Sequence, residues 1–254
     1  MTLLDRLRNA FSPAFGAELA PETGFVVIGD LHGRLDLLDQ MIERLAGRLG
    51  SDTTLVFVGD YVDRGESSAG VLGLLHMLQT SLWPGRVICL KGNHEAMMLN
   101  FLDAPEFDGQ FWLSNGGMQT LASFGIMPPS PSGTAQELQR ARDLLEEALG
   151  DDRLAWLRGL PLSYQSGNVF VAHAGADPHV PVDAQLDEHL LWGHPKFLVT
   201  DRRDGVWVAH GHTIFEKARL HNGRISVDTG AYATSMLSAA FIDTQFCRFL
   251  TVRR

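Results

Sequence analysis

Asp, His, Asn and Arg recur in this sequence at the ends of short apolar runs, each time beside a glycine. Three runs of the first half close on Gly29-Asp30-Leu31-His32-Gly33, on Gly59-Asp60-Tyr61-Val62-Asp63-Arg64-Gly65 and on Gly92-Asn93-His94-Glu95. Two later runs close on Ala172-His173-Ala174-Gly175 and on His210-Gly211-His212-Thr213. Carboxylate oxygen, amide oxygen and imidazole nitrogen without thiolate form a hard to borderline ligand set, which suits Mn²⁺, Fe or Zn²⁺ more than copper or an iron–sulfur cluster. There are donors enough for two ions. Ions roughly 3.5–4 Å apart need a shared carboxylate and can hold a hydroxide between them for in-line attack on phosphorus. The residues therefore point to hydrolysis of a phosphate ester. Asp, Asn and Gly also follow strands because they make turns, but turn chemistry requires neither His at four of these five ends nor an Arg directly after an Asp.

Such residues need a scaffold that brings strand ends together. The first half repeats a short β-branched run, a turn and an amphipathic stretch, which is βαβ grammar. Phe25-Val26-Val27-Ile28 is followed by Leu35, Leu38, Met41, Ile42, Leu45 and Leu49 at helical spacing. Leu55-Val56-Phe57-Val58 is followed by Val71, Leu74, Leu75 and Leu78, and Val87-Ile88-Cys89-Leu90 leads into a helix over 95–102. Runs so short and continuously apolar read as strands buried on both faces. From about 105 to 160 the strand signal stops, and Thr134-Ala135-Gln136-Glu137 carries the capping-box pattern that starts a helix with Leu138, Leu145 and Leu149. Strands resume at 169–172, 206–209, 225–227 and 239–242. The expected fold class is α/β, with two packed mixed sheets flanked by helices, and ligands bind at the carboxyl ends of strands in such sheets.

Composition narrows the partners. With 21 Lys and Arg against 30 Asp and Glu in 254 residues, the formal charge is −9, which argues against a nucleic-acid groove. No stretch approaches the ~18 consecutive apolar residues of a membrane span, so neither nucleic acid nor membrane is an expected partner. Cys89 and Cys247 lie in apolar runs with no pairing pattern, which fits a reduced, cytoplasmic compartment and buried inert thiols. Residues 1–20 read as a short amphipathic helix or arm. Residues 21–254 read as one domain with a helical insertion at about 105–160.

GDLHG, GDYVDRG, GNHE, HAG and GHT follow one another in order, and with them the chain resembles the calcineurin-like metallophosphoesterase superfamily from about Gly24 to Asp243. Within it, the resemblance is to the branch of serine/threonine protein phosphatases, bacterial and phage-like, and symmetrical diadenosine tetraphosphatases. It implies a four-layer α/β/β/α sandwich and two divalent ions per chain, Mn²⁺ before Fe or Zn²⁺. Asp30 and His32 are implied to hold the first ion, Asp60 to bridge both, and Asn93, His173 and His212 to complete the second. His94 is implied to be the general acid, oriented by Asp63. Arg64 is implied to clamp the phosphate with its planar fork, with Asn93 beside it. The implied reaction is hydrolysis of phosphoserine or phosphothreonine monoesters in proteins or peptides by a metal-bridging hydroxide. The alternative substrate is a nucleotide, a dinucleoside polyphosphate cleaved symmetrically.

Related sequences carry a second Arg between HAG and GHT, where this chain has His194; Arg202 or Arg203 is the expected substitute, with Arg202 named first. Ile214 stands where nuclease-like and phosphodiesterase-like members place a further His, which favours the protein-phosphatase-like branch. His210 is open to support, packing or ligation. Met97 and Met98 read as core fillers, Trp112, Trp156 and Trp207 as packing residues, and His76 and His221 as without chemistry.

Overall fold

The computed structural model describes residues 15–50, 52–130 and 133–254. The expected N-terminal helix falls on residues outside these, apart from Phe15 to Ala20, which run without helix and seat the Phe15 ring edge-on against Trp207 at 4.8 Å. Two five-stranded sheets stack face to face. The first has the order β10-β9-β1-β2-β3, built from β1 (Phe25–Ile28), β2 (Thr54–Phe57), β3 (Val87–Cys89), β9 (Met236–Ile242) and β10 (Cys247–Arg253). The second has the order β4-β5-β6-β8-β7, built from β4 (Ser163–Ser166), β5 (Val169–Ala172), β6 (Trp207–His210), β7 (Arg219–His221) and β8 (Arg224–Ser226).

Period-2 alternation of apolar residues builds the layers. Phe25 and Val27 of β1 pack against Val169, Val171, Ala209 and Ile225 of the second sheet, while Val26 and Ile28 face the helices. Those helices are α1 (Leu35–Ala46), α2 (Ser68–Met77), α3 (Asn93–Asp103), α4 (Pro105–Trp112), α5 (Met118–Ser123) and α6 (Ala135–Arg158). Leu37, Leu38, Met41 and Leu45 give α1 its buried stripe. Thr134 caps α6 as its sequence pattern requires, accepting the Glu137 N–H while Glu137 accepts the Thr134 N–H at 2.7 Å. The outer face of the second sheet buries Phe170, Ala172 and Val208 under Phe197 and Leu190, the latter in α7 (Asp187–Trp192). The short α8 (Ala231–Thr234) precedes β9.

β1, β2 and β3 are mutually parallel, and so are β5, β6 and β8. Parallel strands put all their carboxyl ends on one edge of a sheet, and here the two edges share one rim. The antiparallel partners β4, β7 and β10 were not among the expected strands. Three of the four β4 residues are polar and β7 is exposed throughout, so neither carries an apolar signal. Among the described residues no helix is long and apolar enough to cross a membrane.

Candidate active site

The loops after β1 and β2 are stitched together at the rim. The Asp60 carbonyl accepts the N–H groups of Leu31 and His32 at 3.1 and 2.7 Å. Behind it the buried carboxylate of Glu95 accepts the N–H groups of Asp60 and Tyr61, each at 2.8 Å, and of Gly92 at 2.9 Å. These bonds hold an unusual backbone. His32, Asp60, Asp63, Arg64 and His212 all have positive φ, between 42° and 71°, a region that costs an L-residue roughly 1–2 kcal/mol. Strain of this kind persists where surrounding structure over-determines it. Glu95 supplies that support at Asp60; the sequence signal for it is the last position of GNHE, to which no role was attached.

The side chains so presented converge. Asp60 Oδ2 lies 3.4 Å from His32 Nε2, and Asp60 Oδ1 lies 3.4 Å from His173 Nε2. Two groups of potential ligand atoms follow, His32 with Asp60 and His94, and Asp60 with His173 and His212, each within 4.8 Å of one another and sharing Asp60. The tautomers are fixed from behind. His32 Nδ1 donates to the Val62 carbonyl at 2.9 Å and His173 Nδ1 to the Val58 carbonyl at 3.1 Å, because a carbonyl can only accept. Each Nε2 is then left as a lone pair aimed into the cluster, a support pattern typical of metal-binding imidazoles. Burial presses His32 to about 3 and His173 to about 4, so both rings are neutral near pH 7.

A cation fits what these groups leave unsatisfied. The His173 Nε2 lone pair faces Asn93 Oδ1 at 2.8 Å, and His212 Nδ1 lies 3.0 Å from the same oxygen. Acceptors facing one another in a buried site call for a positive charge between them. Asp30 is buried, accepts the His212 N–H at 3.0 and 3.2 Å, and is pushed well above the ordinary carboxylate range by burial and by the charges of Asp228 and Asp60. Asp228, whose own carboxyl burial raises to about 6, was not expected from the sequence. The cluster thus gathers Asp30, His32, Asp60, Asn93, His173 and His212 at one rim.

His94 stands apart from these by its partner. Its Nδ1 is 2.6 Å from Asp63 Oδ2, and its Nε2 points toward the cluster, 3.9 Å from Asp60 Oδ2. Burial pushes the imidazole down, but the Asp60 and Asp63 carboxylates outweigh it and leave His94 above its ordinary value. Asn93, His94 and Glu95 open α3, and the His94 N–H donates to Asp60 Oδ1 at 3.1 Å. A helix start with free N–H groups favours anions there. Gly92 admits this approach, since a side chain at that position would run into the Asp60 carboxylate.

Arg64 is exposed, donates from Nη1 to His32 Nε2 at 3.1 Å and lies 4.8 Å over the Tyr232 ring. Tyr232, which nothing in the sequence singled out, also packs edge-on against His32 at 5.1 Å. Arg202 is not brought to this cluster. Its guanidinium is spent on the Asp204 carboxylate and on the carbonyls of Asp177 and Val180, the latter two at 2.8 and 2.9 Å. His194 Nε2 meets Asp177 at 3.6 Å. His210 is fully buried, with its ring nitrogens on the Gly211 carbonyl at 3.0 Å and on Ser226 Oγ at 2.9 Å, which makes it a support and not a ligand. Met97 and Met98 are core residues. Trp112 packs against Phe101 but also donates its indole N–H to Asp63, a contact its reading as packing alone left out.

Comparison with known proteins agrees with this geometry. Residues 24–224 match the calcineurin-like phosphoesterase family. The chain is 40% identical over 226 residues to serine/threonine-protein phosphatase 2 of Escherichia coli, covering 84% of this chain and 89% of that one. It is 26% identical over 235 residues to an asymmetrical bis(5'-nucleosyl)-tetraphosphatase of Oceanobacillus iheyensis, covering 84% and 86%. The fold is similar to that of a protein serine/threonine phosphatase from Saccharomyces cerevisiae, with TM-score 0.60 at 19% identity over 98% of this chain and 86% of that chain. With a shared carboxylate between two histidine-rich ligand groups and this kinship, the chain belongs to the calcineurin-like phosphoesterase family and is a metal-dependent phosphoric ester hydrolase.

Proposed function

We propose that the chain is a serine/threonine phosphatase that removes phosphate from phosphoserine or phosphothreonine in a protein or peptide, working with two divalent ions, Mn²⁺ by preference. Asp30, His32 and Asp60 would hold one ion, and Asp60, Asn93, His173 and His212 the other. When bound, such ions draw charge from the phosphoryl oxygens and make water nucleophilic at neutral pH. The observation that carries the reading is the 2.6 Å contact of His94 Nδ1 with Asp63, which keeps the ring oriented and its Nε2 directed at the cluster.

The chain's own residues then divide the work. The Arg64 guanidinium, exposed at the mouth, binds two phosphate oxygens with its planar fork. Asn93 steadies a third from the start of α3. As the bond between phosphorus and the ester oxygen breaks, the proton on His94 Nε2 passes to the leaving alkoxide, a transfer that contributes roughly 10²–10⁴-fold. Asp63 stabilises the imidazolium before that step and the aimed ring after it. The 40% identity to a relative named as a serine/threonine phosphatase, over nearly the whole of both chains, supports this substrate class. Cys89, buried, and Cys247, half-buried, are both unpaired, in keeping with a cytoplasmic setting.

A second reading, hydrolysis of a dinucleoside polyphosphate, is favoured by the relative named as an asymmetrical tetraphosphatase. The test is kcat/KM of the Mn²⁺-loaded protein on a phosphothreonine peptide and on diadenosine tetraphosphate side by side, with products identified. Preference for the peptide is expected. Preference for the dinucleotide overturns the reading, and its products, two ADP or ATP with AMP, distinguish symmetrical from asymmetrical cleavage.

A further inference from the structure

The carboxylate of Asp63 is gripped from a side that no strand end supplies. Trp112 closes α4 and Thr120 lies in α5, both in the helical stretch after α3. The Trp112 indole N–H donates across both Asp63 oxygens, 3.1 Å to Oδ1 and 3.0 Å to Oδ2. Thr120 Oγ1 donates to Oδ1 at 2.7 Å, which leaves Oδ2 turned to His94. Asp63, Trp112 and Thr120 are all at 0% exposure. In such surroundings an unmade hydrogen bond is costly, and an indole N–H can only donate.

We propose that Trp112 is a positioning residue for the phosphatase reaction. Its indole N–H, together with Thr120, fixes the rotation of the Asp63 carboxylate, and through Asp63 it fixes the plane of the His94 ring so that Nε2 meets the leaving oxygen. This rests on His94 as the general acid. The stack on Phe101, whose ring centroid is 4.7 Å away, does not by itself select tryptophan, because a phenylalanine would keep it. The turn beyond α4 is shaped around the indole. At Gly117 a side-chain carbon would come within 2.5 Å of the Trp112 ring, and the carbonyl of Gly116 accepts the Arg64 N–H at 3.3 Å. One helical turn thus reaches both the acid's partner and the phosphate clamp.

The test compares Trp112→Phe, Thr120→Val and His94→Asn on a phosphoserine peptide, whose alkoxide needs a proton to leave, and on 4-nitrophenyl phosphate, whose phenolate does not. Metal content and melting temperature are measured in parallel. Trp112→Phe is expected to lower kcat roughly 10-fold on the peptide, at the low end for losing the partner of a working side chain, and less than about 2-fold on the aryl phosphate, where the acid's contribution is dispensable. Its metal content should be unchanged. Equal losses on both substrates, or loss on neither, overturn the proposal. A selective loss in His94→Asn without one in Trp112→Phe overturns the role of Trp112 alone. No selectivity in His94→Asn overturns the general-acid reading and this proposal with it. Should Trp112→Phe fail to fold, Thr120→Val, which strips the other donor from Oδ1 and leaves the Asp63 N–H to Ser68 Oγ alone, is expected to show the same split between substrates, and equal losses there are the overturning result.

Discussion

The carboxylate of Asp60 meets the imidazole of His173 oxygen to nitrogen, Oδ1 to Nε2 at 3.4 Å, and turns its second oxygen to His32 at the same distance. One side chain therefore belongs to both ligand groups. Asp60→Asn replaces one of those oxygens by a donor that no cation accepts, so both ions should be lost together. Metal analysis of the purified variant checks this, and retention of two ions per chain would count against the shared role.

Removal of metal should cost stability as well as turnover. Asp30, Asp60, Glu95 and Asp228 are buried within one region and press on one another's charge. Ions that bind only the folded chain stabilise it by about 2.7 kcal/mol at a hundredfold excess over the dissociation constant. For a chain of this size that amounts to roughly 5–10 °C in melting temperature. Thermal melts with chelator and with added Mn²⁺ read it directly, and superimposable melts would contradict the expectation.

Arg64→Lys keeps the charge and loses the fork. Because two parallel N–H groups match phosphate geometry and an ammonium does not, kcat/KM should fall roughly 10- to 100-fold, the range for hydrogen bonds to charged groups. Metal content should stay at the wild-type level. Steady-state kinetics beside metal analysis separates this outcome from a general collapse of the site.

Glu95→Gln should act through the backbone. The carboxylate accepts from Asp60, Tyr61 and Gly92, and an amide has one acceptor oxygen where the carboxylate has two. An N–H left unpaired in that position costs about 1–3 kcal/mol. Denaturant titration of metal-free protein would show the shift in midpoint; an unchanged midpoint would mean that the left-handed Asp60 is held by other means.

Burial pushes the Cys247 thiol up to about 12 and raises Cys89 as well. Both are therefore protonated, and so unreactive as nucleophiles, well above neutral pH. A disulfide reagent at pH 8 should label native protein far more slowly than denatured protein, and rapid labelling of the native chain would contradict the burial of these thiols.

The strand-end donors were legible because each is local in sequence: a short apolar run, a glycine and a ligand-type residue are seen within a few positions. Their convergence then follows from parallel strands sharing an edge. What escaped depends on contacts across the chain. Trp112 reaches Asp63 across 49 positions and Thr120 across 57, and neither sits in a pattern that distinguishes it from a core residue. Arg202 carried the expected charge, but a guanidinium is recruited by whatever carboxylate and carbonyls surround it, here Asp204, Asp177 and Val180. Asp228 follows β8 closely, yet lacks the His or Arg neighbour that marked the other strand ends. The polar β4 and exposed β7 show why edge strands are harder to see than central ones.

The central strand of the first sheet has its flanking partner at the far end of the chain, with Phe25 paired to Ile242. During synthesis Asp30, Asp60 and Asn93 leave the ribosome long before His173 and His212, and β1 waits for β9 until the chain has been made as far as Ile242. Contacts so distant in sequence slow folding. A fragment truncated ahead of β9 would carry every one of the proposed metal ligands and still leave β1 with an open edge. The pairing of β1 with β9 therefore closes a sheet whose rim residues have already been made.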